Sequence, residues 1–169
     1  MTNPHYLNEL NPDDEDLLNV FNLLENTCVT LASNKMGRAR SFGTHRGMIL
    51  GMIKGRAKPI YALSYVTKKY PELYKAVMKL GHKIVPFEFN AIQVNHNVVC
   101  PPHLDKGNKT ESVIVSMGDY EGCNLVIEDH GEFNTNCKPL VFNGKTHLHW
   151  NTPLISGTKY SLVFFINEN

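Results

Sequence analysis

The spacing of apolar residues changes period partway along the chain. Leu17, Leu18, Phe21, Leu24, Cys28 and Leu31 recur close to the 3.6-residue repeat of a helix. Asn11-Pro12-Asp13-Asp14 precedes them. Proline fits a first helical turn, and acids there complement the helix dipole. The pattern predicts a helix over about 13–32, packed on a sheet. Residues 34–58 interleave Gly37, Gly43, Gly47, Gly51 and Gly55 with basic side chains, and read as loops with one or two short strands. Pro71 opens a second helix, PELYKAVMKL, which Gly81 is expected to end. Beyond Lys83 the period falls to that of strands, in the runs IVPFEF, NAIQVNHNVV, SVIVSM, NLVIED, PLVF, HLHW and KYSLVFFI. Asn143-Gly144 is a tight-turn pair, and Gly118-Asp119-Tyr120-Glu121-Gly122 reads as a turn between two strands.

Helices first and short strands afterwards predict a mainly β fold, a sandwich or barrel buttressed on one face by helices. With 169 residues the chain suits one domain. Its helical, basic part would cover about 1–82 and its β core about 83–169.

Net charge adds an asymmetry. The chain carries +1 overall, but residues 1–34 hold six acids and no Lys or Arg, residues 35–83 twelve Lys or Arg and the single acid Glu72, and residues 84–169 five Lys or Arg and nine acids. A segment this basic inside a neutral chain points to an anionic partner, nucleic acid first, or to a solvated face opposite the acidic N-terminal helix. No run approaches the roughly 20 apolar residues of a membrane helix, and Met1-Thr2-Asn3-Pro4-His5 does not begin a signal peptide. The expectation is a monomer in the cytoplasm or nucleus with no membrane partner. Cys28, Cys100, Cys123 and Cys137 form no CxxC pair, so they read as reduced, buried, small apolar residues.

The candidate chemistry lies in Cys100-Pro101-Pro102-His103-Leu104-Asp105. In extended backbone, residues two apart point to the same side, so His103 and Asp105 would stand together. A second histidine would complete a 2-His-1-carboxylate triad, which holds iron(II) on one face and leaves open positions on the other. The tripeptide alone is weak in a chain with eight histidines. Thr146-His147-Leu148-His149-Trp150 offers two further candidates on one strand face, and His149 is preferred for its spacing to Pro153 and Lys159. Lys159 and Ser161 would share a strand face and could hold a distant carboxylate by charge and by hydroxyl.

His103-x-Asp105, a distal His149 and Lys159-x-Ser161 together resemble the iron(II)/2-oxoglutarate dioxygenase superfamily. The segments HLDKGNKTES, VIVSMGDYEGCNLVIED and FNGKTHLHWNTPLISGTKYSLVFF are similar in layout to its TET/JBP-like branch, whose members oxidise the 5-methyl group of pyrimidine bases. The resemblance implies a double-stranded β-helix, a cupin-like jelly-roll core, and an oxygenase using Fe(II), 2-oxoglutarate and O2. It implies His103, Asp105 and His149 as metal ligands and Lys159 with Ser161 as the cosubstrate anchor. Most members place Arg at the anchor; Lys keeps the charge without the bidentate fork. It also assigns Asn108, Phe165 and Asn167 to the target base. If the substrate is a base in nucleic acid, the candidates for phosphate contact are Arg38, Arg40, Arg46, Arg56 and Lys58. Two other readings remain open: a prolyl or amino-acid-type hydroxylase acting on a peptide or metabolite, and a cupin-like metal-binding module without turnover. The Lys159-x-Ser161 pair argues against the last, since metal binding alone needs no dicarboxylate clamp.

Overall fold

A computed structural model describes residues 3–27, 46–54 and 61–167. In chain order the described elements are β1 (His5–Tyr6), α1 (Glu15–Thr27), β2 (Arg46–Lys54), β3 (Tyr61–Leu63), α2 (Tyr65–Lys69), α3 (Pro71–Ile84) and β4 (Ala91–His96). There follow β5 (Ser112–Met117), β6 (Tyr120–Gly122), β7 (Leu125–Ile127), β8 (Gly131–Phe133), β9 (Leu140–Phe142), β10 (His149–Asn151), β11 (Leu154–Gly157) and β12 (Tyr160–Phe165).

Seven strands form one antiparallel sheet in the order β1-β9-β5-β12-β4-β2-β3. Among the described residues, a three-stranded sheet, β10-β7-β8, and the pair β11-β6 make up the other sheets. Residues on the large sheet alternate between two apolar clusters. Leu162 and Phe164 of β12, Val113 and Val115 of β5, Ile92 and Val94 of β4, and Met48 and Leu50 of β2 join Leu17, Val20 and Leu24 of α1 and Leu73, Val77 and Leu80 of α3. The opposite face contributes Ile114, Leu140 and Phe142, which meet Leu125 and Ile127 of the small sheet. The helices therefore cover one face, and the other encloses the interior between the two sheets.

The two helices are held to each other as well as to the sheet. Lys83 at the end of α3 pairs with Asp14 just before α1, and Lys79 reaches Asp16 at 3.4 Å. The lysine ammonium beside it holds the Asp14 carboxyl below its ordinary value. Behind β12, the Tyr160 hydroxyl donates to Glu25 of α1 at 2.6 Å.

Four sequence expectations are corrected. α3 runs through Gly81 to Ile84. A Cβ at Gly81 would lie 2.6 Å from both Phe164 Cε1 and Phe89 Cζ, so this glycine permits close packing inside the helix and is no terminator. The run IVPFEF is not a strand: Ile84 ends α3, and 85–90 pairs with no neighbour as a ladder. Tyr120–Gly122 is strand β6, paired with β11, so only Gly118 and Asp119 turn the chain. Gly118 has φ +119°, and a Cβ there would stand 2.2 Å from the Thr158 carbonyl oxygen. Lastly, 144–147 is a turn and a bend, and β10 begins only at His149. The Asn143 side chain accepts the Lys145 and Thr146 N–H groups and stabilises that turn. His147 therefore does not share a strand face with His149. The predicted stretch 28–32 of the first helix lies outside the described residues.

Candidate metal centre

His103 and His149 face each other across an isolated antiparallel bridge. Each donates its backbone N–H to the other's carbonyl, at 3.0 and 3.1 Å, and the rings stand 4.2 Å apart. Asp105 is fixed by its own N–H, which donates to the Gly144 carbonyl at 2.8 Å. Its carboxylate divides between the two rings: Oδ1 lies 3.5 Å from His103 Nε2 and Oδ2 lies 3.1 Å from His149 Nε2. Ligand atoms of all three residues fall within 4.8 Å of one another.

The tautomers follow from the other ring nitrogens. His103 Nδ1 is 2.9 Å from the Pro101 carbonyl oxygen, and His149 Nδ1 is 2.8 Å from that of His147. A carbonyl only accepts, so both Nδ1 atoms carry a proton, which leaves each Nε2 as the ring nitrogen that can bind a metal in the shared space. One ligand atom from each residue within 4.8 Å of the others is a grouping able to hold one ion. Two imidazoles and one carboxylate suit iron(II). Gly144 presses on the group from the side: a Cβ there would be 2.6 Å from Asp105 Oδ2 and 3.0 Å from His149 Cε1. Phe142 packs its ring edgewise against His149 at 5.2 Å.

Lys159, just before β12, is only 3% exposed. Its ammonium donates to the Cys123 carbonyl at 2.6 Å and lies 5.4 Å from the centre of the Tyr120 ring. Burial pulls its pKa below the ordinary 10.5. Ser161 is buried opposite Ser116 across β12 and β5. Ser116 and Thr135 share a hydrogen bond at 2.7 Å. Burial pushes the Tyr120 phenol up to about 12, against hydrogen bonding with these hydroxyls.

The structure thus brings together His103, Asp105 and His149, and separately buries Lys159 and Ser161, two residues apart at the start of β12. Asn108 and Asn167 bridge each other near Phe165 at the end of β12. The Asn108 amide donates to Ser112 at 3.0 Å, and that of Asn167 to the Met52 carbonyl at 3.2 Å. Arg38, Arg40, Arg56 and Lys58 lie outside the described residues; Arg46 opens β2, and only its backbone is described. Sequence reasoning missed Tyr120, Ser116, Cys123 and Gly144. His147 contributes its backbone carbonyl, while its ring packs edgewise on His130 at 4.9 Å.

This architecture is a double-stranded β-helix, the fold of the solved structures it is similar to. Among solved structures it is similar to NgTET1 in complex with 5mC DNA, with a TM-score of 0.68 and 14% identity over 97% of this chain and 72% of that one. It is similar to a 2OG-Fe(II) oxygenase family oxidoreductase from Burkholderia pseudomallei, with a TM-score of 0.59 and 15% identity over 98% and 88% of the two chains. A third is the viral collagen prolyl hydroxylase of Paramecium bursaria Chlorella virus-1, solved with 2OG, with a TM-score of 0.54 and 14% identity over 99% and 97%. No model of a known protein family matches the sequence, and no curated protein matches it.

Proposed function

We propose that this chain is an Fe(II)- and 2-oxoglutarate-dependent dioxygenase that hydroxylates the 5-methyl group of a pyrimidine base in nucleic acid. The observation that carries the enzyme class is the approach of both histidine Nε2 atoms to the Asp105 carboxylate, with each Nδ1 held by a backbone carbonyl. In this reading His103, Asp105 and His149 hold iron(II), which with 2-oxoglutarate and O2 supplies oxidative decarboxylation coupled to hydroxylation of a C–H bond. Lys159 neutralises the far carboxylate of 2-oxoglutarate and Ser161 hydrogen-bonds it. Phe142 and Ile114 belong to the buried apolar cluster beside this site, and Phe142 packs on His149. This reading assigns the base to Asn108, Asn167 and Phe165, which would have to exchange their internal hydrogen bonds and burial for contact with it. Arg38, Arg40, Arg46, Arg56 and Lys58 would meet the flanking phosphates.

The likeness to a protein solved with 5mC DNA and the concentration of Lys and Arg in residues 35–83 support the substrate. A second reading, peptidyl-proline hydroxylation, draws on the likeness to a collagen prolyl hydroxylase that this fold matches over nearly its whole length.

Succinate release by the iron-loaded chain tests both. It is measured with 5-methylpyrimidine DNA, with a proline-rich peptide, and with neither, beside His103→Ala. Turnover stimulated by DNA, with one oxygen atom added to a base on mass spectrometry, is expected. Stimulation by the peptide alone would transfer the assignment to the second reading. Wild-type turnover no greater than that of His103→Ala would overturn the enzyme class.

A further inference from the structure

A cavity of about 760 Å³ lies between the C-terminal end of α3, the segment 85–90, and Lys109 and Ile166. This is within the roughly 300–1,000 Å³ of ligand sites. None of the residues assigned above lines it. It nevertheless adjoins them through continuous backbone. The Asn108 N–H donates to the Asp105 carbonyl at 3.2 Å, the Lys109 N–H to that of Ile166 at 3.0 Å, and the Asn167 N–H to the Asn90 side chain at 2.8 Å. Lys109 is four positions beyond Asp105, so their Cα atoms are no more than roughly 14 Å apart. That is a span of a few nucleotides at a rise of about 3.4 Å.

The lining combines four chemistries. Phe87 and Phe89 are half-buried in the wall. Phe89 is held from behind: it packs edgewise on Phe164 at 5.1 Å, lies 5.3 Å from the His82 ring, and fills the space that Gly81 leaves. His82, Glu88 and Lys109 are exposed at the lip. A fixed aromatic wall, one cation and one carboxylate match a single nucleotide better than a run of phosphates. Its base has a π face, its phosphate seeks a cation, and the base's N–H groups seek an acceptor. Glu88 would repel a second phosphate, which limits the site to one.

We propose that this cavity receives a nucleotide flanking the target base, with its base against Phe87 and Phe89, its phosphate on Lys109, and Glu88 accepting from a base N–H. The inference rests on the nucleic-acid reading above.

The test uses fluorescent single-stranded oligonucleotides bearing one 5-methylcytosine, either intact or with an abasic site at each flanking position in turn. Binding to the iron-loaded chain is followed by anisotropy at several salt concentrations, with folding checked by circular dichroism. One abasic position is expected to weaken wild-type binding by roughly five- to hundredfold. Phe87→Ala should abolish the difference between intact and abasic strands. Lys109→Ala should lower the salt slope by about one whether or not Phe87→Ala folds. Wild-type binding indifferent to every abasic site, or Phe87→Ala weakening intact and abasic strands equally, would overturn the site and leave the substrate reading standing. So would an unchanged salt slope in Lys109→Ala. Wild-type protein that binds none of the oligonucleotides would overturn both.

Discussion

At the scale of single residues, the spacing of His103 and Asp105 was legible because extended backbone has a fixed two-residue period, and His149 because of its distance to Lys159. Gly144 was not legible, because its contact with Asp105 joins positions 39 apart in the chain. Gly144→Ala places a methyl group inside van der Waals distance of Asp105 Oδ2. It should lower iron affinity about 10- to 100-fold, the usual cost of disturbing a ligand's support, measured by titration of the anaerobic protein. Tyr120 and Cys123 escaped for the same reason, since nothing local marks them as neighbours of Lys159. The lysine itself makes a prediction with a pH sign. Its folded-state pKa lies below 10.5, so the unfolded chain binds the proton more tightly. The fold therefore carries an unfavourable buried charge at neutral pH, and that cost is relieved as pH rises through the window up to 10.5. Lys159→Met should melt higher than wild type at pH 7 without cosubstrate, with the gap closing as pH approaches 10.5. Its KM for 2-oxoglutarate should rise tenfold or more, because a charge-assisted hydrogen bond is lost.

At the scale of elements, helical periodicity located α1 and α3, and the apolar alternation located β4, β5 and β12. The misread ends have different causes. A glycine that ends a helix and a glycine that lets a helix approach an aromatic ring look alike in one dimension, and only Phe164 and Phe89 distinguish them. Gly81→Ala should therefore destabilise the protein by about 1–3 kcal/mol through overpacking, even though alanine is the better helix former. Chemical denaturation reads this directly; a stabilised variant would show that the rings can move aside. IVPFEF has strand-like residues but no partner strand, and Phe87 and Phe89 face a cavity and the core instead. HLHW failed as a strand because the Asn143 side chain closes a turn over Lys145 and Thr146, leaving only the last two of its four residues extended.

At the scale of the whole molecule, a helical layer on a sheet was legible, but β1, β2 and β3, which stand before or between the helices and join the large sheet, were not, because the pairing of strands distant in sequence does not follow from any local pattern. The charge pattern belongs to this scale too. If residues 35–83 meet a polyanion, then Arg38→Gln with Arg40→Gln should weaken DNA binding and reduce its salt slope by about two. An unchanged slope would remove those two arginines from the interface. The large sheet has one further consequence, carried by its central strand. β12 turns Tyr160, Leu162 and Phe164 toward the helices, and Ser161 and Val163 toward the interior. Inserting or deleting one residue there would exchange the two faces, placing a tyrosine and a phenylalanine in the pocket and a serine under α1. Descendants of this gene can lengthen and shorten their loops, but this strand can diverge only by substitution.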